Sequence, residues 1–241
     1  MASLRWLPPR TSRAGGNLHS AANPVQRDIA LSDYQKEKEI LRRRAYDARN
    51  GEKDQETCSK KAVQKLVDLD EYKEAKTVLW YVDARSEMQT QAAIASALKT
   101  NKRIIVPYCT KGEKGENKLG LWPLQSMEDL VAGKWKILEP PREEWGKPEK
   151  QVAESELDLV VVPGVAFGRD GARLGNGQGY YDRLLAKVQS DCKLIGLCYE
   201  SQLLDNITME SHDVYVDKVI TEARVYEGRG RVEAEVSTTT A

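Results

Sequence analysis

Residues 158–186 read DLVVVPGVAFGRDGARLGNGQGYYDRLLA. The apolar run Leu159 to Val162 has the length and β-branching of a buried strand. It feeds a loop holding Gly164, Gly168, Gly171, Gly175, Gly177 and Gly179, six of the 17 glycines in the chain. The loop ends in Tyr180-Tyr181-Asp182-Arg183-Leu184-Leu185, which reads as the start of a helix. Strand, glycine loop and helix together offer free backbone N–H groups to an anion. The alternative is a merely flexible loop. The near-regular glycine spacing, with Arg173 and Asp182 flanking, favours phosphate handling.

Composition narrows the function classes. Lys plus Arg and Asp plus Glu both number 37, so there is no global basic field for nucleic acid. With 40% hydrophobic and 31% charged residues the chain reads as a globular protein. No run approaches the roughly 18 apolar residues of a membrane span. Cys58, Cys109, Cys192 and Cys198 form no C-x-x-C pair, and His19 and His212 are the only histidines, so zinc-site spacing is absent. Reduced thiols in an intracellular compartment are the simplest reading, with Cys109, Cys192 and Cys198 in the core.

Outward from the loop, the chain alternates helix and strand patterns. Residues 1–30 form a leader, acid-free and Arg-rich up to Arg27: an organellar transit peptide, a disordered extension or an overlong start. Residues 33–49 and 54–69 read as helices. Residues 77–82 are a strand, and Ser86 with Gln89 matches a capping box opening a helix to about Lys99. Residues 103–108 are the next strand, completing a parallel βαβ unit. Glu87 sits at the C-terminal end of its first strand, where α/β sheets collect ligands, or it serves only the helix start. Residues 118–122 read as a short strand, Ser126 caps a short helix, and Trp135 to Pro141 are extended. Strands follow at 194–199 and 214–220, and residues 223–241 read as a disordered tail. The expected fold is a Rossmann-like, three-layer α/β domain over residues 31–222, with a mostly parallel sheet and helices on both faces.

The loop ending Arg173-Leu174-Gly175-Asn176-Gly177-Gln178-Gly179-Tyr180-Tyr181-Asp182 lacks the Lys-Ser/Thr of a Walker loop, and its G-x-G-x-G spacing is not the dinucleotide fingerprint. It reads as a backbone anion cradle with Arg173 as side-chain partner. Asp182 beside it suits Mg²⁺, which takes one or two carboxylates plus phosphate oxygens, or it is an ordinary first-turn acid. Asp213 is a candidate second carboxylate, or turn chemistry. Lys38 and Arg42, one helical turn apart, either face one anion or belong to a solvated charged face.

The segment PGVAFGRDGARLGNGQGYYDRLL resembles the signature of the 5-formyltetrahydrofolate cyclo-ligase family, also called 5,10-methenyltetrahydrofolate synthetases. Lys38-Glu39-Ile40-Leu41-Arg42 is similar to the family's Lys-x-x-Leu-Arg helix, and Glu87 to Thr90 to its Glu-x-x-Thr. Trp135 to Pro140 and the closing His212-Asp213…Val216-Asp217…Val219-Ile220-Thr221 also match, so the resemblance spans about residues 34–222. It implies an ATP- and Mg²⁺-dependent conversion of 5-formyltetrahydrofolate to 5,10-methenyltetrahydrofolate with release of ADP and phosphate. By the same resemblance, Lys38 to Arg42 and Arg173 to Tyr181 contact ATP, Arg173 and Asp182 are the catalytic candidates, and Asp182 and Asp213 hold Mg²⁺. Val82, Glu87, Trp135, Phe167 and Tyr180 are the folate candidates. Phe167 and Tyr181 read equally well as core packing.

The sequence departs from the family pattern at Gly168, where many members have Asp, with Asp170 two residues on. It also departs at Asn176 and Gln178, where some members carry Arg and Lys. Weaker ATP binding follows, compensated by Arg42 to Arg44. A folate-binding module without turnover, or another ATP-dependent ligase on a folate-like substrate, are the alternatives. Asp182 sits at a loop edge, so Asp182→Ala is expected to leave the fold intact. The partners expected are ATP and the folate, without nucleic acid or membrane, for a cytoplasmic (alternatively mitochondrial) monomer or weak homodimer.

Overall fold

The computed structural model describes residues 33–133 and 137–231. The leader and Trp135 therefore lie outside the described residues. The chain runs α1 (Asp33–Asn50), α2 (Gln55–Asp68), α3 (Asp70–Glu74), β1 (Thr77–Leu79), α4 (Gln91–Ala97), β2 (Arg103–Lys111) and β3 (Asn117–Leu124). Then come β4 (Val131–Ala132), β5 (Leu138–Glu139), β6 (Leu159–Val162), β7 (Ala166–Gly168), β8 (Arg173–Leu174) and α5 (Tyr180–Leu185). The last strands are β9 (Lys193–Leu197), β10 (Leu203–Leu204), β11 (Lys218–Ile220) and β12 (Val225–Glu227).

Seven strands form the main sheet in the order β12-β11-β9-β6-β1-β2-β3. From β11 to β2 all pairings are parallel, while β3 and β12 run antiparallel at the two margins. Side-chain alternation explains the three layers. On one face Val78, Trp80, Ile104, Val106, Leu159, Val161 and Ile195 pack with Ala62 and Leu66 of α2 and Ile94 of α4. On the other, Leu79, Ile105, Val160, Val162 and Leu194 pack with Leu184 and Leu185 of α5. Strands covered on both sides need apolar residues at every position, which is why Leu-Val-Val-Val is legible as β6. The expected α/β fold is the one observed. The sheet reverses direction between β1, which steps to β2, and β6, which steps to β9 and β11. The crevice beyond the C-terminal ends of β1 and β6 is therefore the topological switch point, where such sheets bind ligands.

Three local expectations are corrected. The Ser86–Gln89 box does not form: α4 starts at Gln91 with Thr90 as N-cap. Asp83 supplies the acceptor instead, its Oδ1 taking the Thr90 N–H at 2.7 Å and the Gln91 N–H at 2.9 Å. Thr90 is itself buried, with its hydroxyl donating to Tyr81 O, so the helix start is fixed from β1 rather than from within the helix. The tail expected from residue 223 begins later, because Val225–Glu227 pairs with β11 as β12. Isolated three-residue strands carry too little periodicity to be read. Cys109, expected in the core, is exposed on β2, whereas Cys192 and Cys198 are buried; all four thiols are free.

Replacing Asp83 by Ala removes the acceptor of both amides at the start of α4. A stability loss of about 1–2 kcal/mol is expected in urea unfolding, the size of a lost N-cap.

Candidate functional site

The glycine stretch is more built than a bare loop. β7 and β8 make a hairpin that joins β10 in a three-stranded sheet. Its turn needs Gly171, which has φ +88° and abuts Val216 O, so any Cβ there meets both strain and a backbone oxygen. At Gly168 the space a Cβ would take lies 2.5 Å from Asp170 Oδ1. The Asp170 carboxylate thus packs against Gly168, in the space a side chain there would need. It caps the Ala172 N–H at 3.1 Å and pairs with Arg229 at 3.1 Å.

Gly175 to Gly179 follow as an open strap. Among the described residues, none accepts a hydrogen bond from the backbone N–H groups of this strap. Its carbonyls, by contrast, are held by cations. Arg42 Nε donates to Gly175 O at 2.9 Å, and Arg183 donates to Gln178 O at 3.1 Å and Gly179 O at 2.5 Å. Tyr46 donates to the Asn176 side chain, and Asn117 of β3 donates to Gln178 O at 3.0 Å. Carbonyls turned to cations leave the amides as the unpaired side of the strap. α5 is only six residues long, so anion affinity here depends on these amides more than on a helix dipole.

The two metal candidates are each engaged by a cation. Arg173, with a side chain 4% exposed, is bonded to Asp182 and donates to Pro163 O at 3.4 Å. Lys38 Nζ lies 2.9 Å from Asp213 and 3.1 Å from Glu210. Burial pushes the Asp213 carboxyl up, but the Glu210 amide, Lys38 and His212 outweigh it and hold it below its ordinary value. Burial also works against charge on Lys38, yet its bonds to Tyr34, Asp213 and Glu210 raise it further above the usual lysine range. Asp213 gathers with Glu210 and His212, their ligand atoms within 4.8 Å of one another; Asp182 is not in that group. The donor set is carboxylate-rich and fits a hard divalent cation.

Glu87 stands on the β1 side of the switch point. Its Oε2 accepts the Ala84 N–H at 3.1 Å, and burial raises its carboxyl above the ordinary value despite Arg49. Glu87 and Arg173 are the charges that act on the Tyr181 phenol, and burial keeps that phenol protonated. The Tyr181 hydroxyl and Arg173 Nε are both buried without a hydrogen-bond partner. Buried unpaired donors are costly unless a ligand or water meets them; the indole nitrogens of Trp80 and Trp122 and Arg231 Nε are buried and unpaired as well.

The other sequence candidates divide. Tyr180 is half-buried, its hydroxyl against the Cys109 thiol. Val82 lies half-buried at the core edge, and Leu174 and Leu41 pack in the small core around the β7–β8 hairpin. Phe167 is fully buried, its ring 2.6 Å from where a Cβ on Gly196 would stand, and it is core rather than a stacking surface. Glu39 and Ile40 are exposed, and Glu39 lies 3.8 Å from Arg42. Arg43 and Arg44 are exposed too, so of the three expected compensating arginines Arg42 alone touches the strap among the described contacts. Sequence reasoning missed Arg49, Tyr46, Arg183 and Asn117, whose partners are far off in sequence or are backbone atoms. A cavity of about 300 Å³ lies along β3, lined by Tyr108, Lys111, Lys118 and Trp145 among others, but no strap residue lines it.

Fold and site define the class: a doubly covered α/β protein with a glycine strap and acidic groups at the switch point of its sheet. The model of the 5-formyltetrahydrofolate cyclo-ligase family matches residues 34–222, and the chain belongs to that family. A probable 5-formyltetrahydrofolate cyclo-ligase of Caenorhabditis elegans is 31% identical over 165 residues, covering 66% of this chain and 79% of that protein. The Arabidopsis thaliana protein called mitochondrial 5-formyltetrahydrofolate cyclo-ligase is 32% identical, covering 70% of this chain and 68% of its own length. The 5,10-methenyltetrahydrofolate synthetase of Aquifex aeolicus superposes with a TM-score of 0.66 at 30% identity, over 84% of this chain and 99% of that one.

The Arg173 pair revises the expectation for Asp182. Asp182→Ala leaves a buried guanidinium without its carboxylate and is expected to cost about 2–3 kcal/mol in urea unfolding. Asp182→Asn keeps an acceptor and is expected to lose clearly less.

Proposed function

We propose that this enzyme converts 5-formyltetrahydrofolate to 5,10-methenyltetrahydrofolate at the switch-point crevice, using ATP and Mg²⁺. The unpaired amides of Gly175 to Gly179 carry this reading, because a row of free N–H groups beside Arg42 and Arg173 suits the phosphates of ATP. Arg173 would stabilise charge on the transferring phosphoryl group, and the strap would orient it toward the folate. The formyl oxygen attacks the terminal phosphorus and ADP leaves. The neighbouring anilino nitrogen then attacks the activated carbon, closing the ring and expelling phosphate. Asp213 with Glu210, and Asp182 on the strap side, would hold Mg²⁺, which supplies charge neutralisation for the phosphates. Glu87, a buried acceptor, would fix the folate, and the Tyr181 hydroxyl would donate to it.

A second reading, a folate-binding module without turnover, has one observation in its favour: both metal carboxylates are already paired with Arg173 and Lys38. Incubating the protein with 5-formyltetrahydrofolate, ATP and Mg²⁺ and following methenyl absorbance decides between them. Absorbance growth with matching ADP release is expected. Folate binding with intact ATP would establish the second reading instead. The compartment is read as cytoplasmic, or mitochondrial if the Arg-rich leader directs import, which the name of the Arabidopsis relative supports. Among the described residues no helix is long and apolar enough to cross a membrane.

Gln178 brings no charge to the strap. Gln178→Lys is expected to tighten ATP binding about fivefold in calorimetry, the worth of one partly exposed charge contact of roughly 1 kcal/mol. Unchanged affinity would show that Arg42 and Arg183 already supply the charge.

A further inference from the structure

Helix α1 touches both sides of the crevice. Near its start Lys38 holds Asp213, and one turn on Arg42 holds the strap at Gly175 O. In its last turn Arg49 reaches the opposite side. Arg49 is 5% exposed, and its Nη1 lies 3.9 Å from Glu87 Oε1. At that separation the pair is Coulombic rather than hydrogen-bonded. The guanidinium is aimed by other contacts. Its Nε donates to Ser86 Oγ at 3.1 Å, while Ser86 Oγ donates to Asn50 Oδ1 at 2.5 Å. The Tyr46 ring lies beneath it, 4.9 Å from the guanidinium carbon.

A buried cation is costly unless a carboxylate repays its desolvation. The other charged or titratable groups around Glu87 are Asp83 and Arg85 on its own loop, Tyr81 just past β1, Tyr181 from α5, and Tyr199 beyond β9, whose hydroxyl donates to Glu87 O at 3.3 Å. Asp83 is turned to the start of α4, and Arg85 is exposed with φ +58°. Arg49 is therefore the buried cation that faces Glu87 from another element.

We infer that Arg49 is a positioning residue: it fixes the Glu87 carboxylate for the folate and ties its placement to the helix that carries Lys38 and Arg42 at the strap. This rests on the reading of Glu87 as a folate ligand. Arg49 touches no reacting atom, so its loss acts on folate binding and spares the nucleotide.

The sign of the pH effect follows. Burial raises the Glu87 carboxyl and Arg49 opposes that rise. Without Arg49, Glu87 holds its proton to higher pH, and the acid limb of kcat/KM for the folate moves up. Steady-state kinetics of the full-length protein, wild type against Arg49→Gln and Arg49→Lys, test this. Arg49→Gln is expected to raise KM for 5-formyltetrahydrofolate about tenfold, the worth of roughly 1.4 kcal/mol, with KM for ATP changed less than about twofold. Arg49→Lys is expected to recover most of the loss. Carboxyl ¹³C NMR of ligand-free protein adds a reading that needs no turnover: Glu87 titrates at higher pH in Arg49→Gln than in wild type. An unmoved Glu87 titration, or KM values that rise equally for both substrates, overturns the proposal. Failure of the wild type to turn over the folate would instead sink the functional reading, and the NMR titration would still decide whether Arg49 governs Glu87.

Discussion

A guanidinium almost wholly removed from water is the constraint around which this molecule is arranged. Arg173 stands on β8 and cannot be buried there unless its donors are met. Pro163 O meets it from the end of β6, and Asp182 meets it from the first turn of α5. Those two contacts fix the distance between the sheet and the short helix, and so the path of the glycine strap between them. Everything the strap does depends on that path: its carbonyls face Arg42 and Arg183, and its amides are left over. The remaining nitrogen, Arg173 Nε, is buried and unpaired, as is the hydroxyl of Tyr181, whose ring centre lies 5.8 Å from the guanidinium carbon. Each such group costs on the order of 1–3 kcal/mol while unsatisfied.

Much of the architecture was legible because it is local. Leu159 to Val162 and Arg103 to Tyr108 are strands in any context that covers both faces, and Asp33 to Asn50 is long enough for its helical character to survive a weak apolar stripe. What escaped reading is non-local. The start of α4 is fixed by Asp83, which lies before the Ser-x-x-Gln pattern that imitates a cap. The β7–β8 hairpin is too short for periodicity and is defined by what Gly171 must avoid. β12 exists because β11 offers it an open edge.

The site shows the same division. Chemistry-bearing residues such as Lys38, Arg173, Asp182, Asp213 and Glu87 stand out by type and motif. Their pairing does not, because a linear pattern cannot tell that the cation at position 38 lies against the carboxylate at 213. Phe167 illustrates the converse error: an aromatic inside a functional motif served the core, wedged against the backbone at Gly164 and Gly196. Arg49, hidden among the charges of α1, differs from Arg43 and Arg44 only in burial.

The Lys38–Asp213 bond joins residues 175 positions apart. Loop closure over that length cannot begin until residue 213 has been made, and contacts of such sequence separation are the slow ones to form. Helix α1 leaves the ribosome before the other described elements yet has an apolar stripe too modest to hold it against anything until the β7–β8 hairpin and the segment around Asp213 exist. Synthesis therefore yields the strands from β1 to β9 before it yields a crevice. The opening helix waits, cationic and solvated, for the closing third of the chain, and the nascent polypeptide has no complete site until residue 213 has left the tunnel.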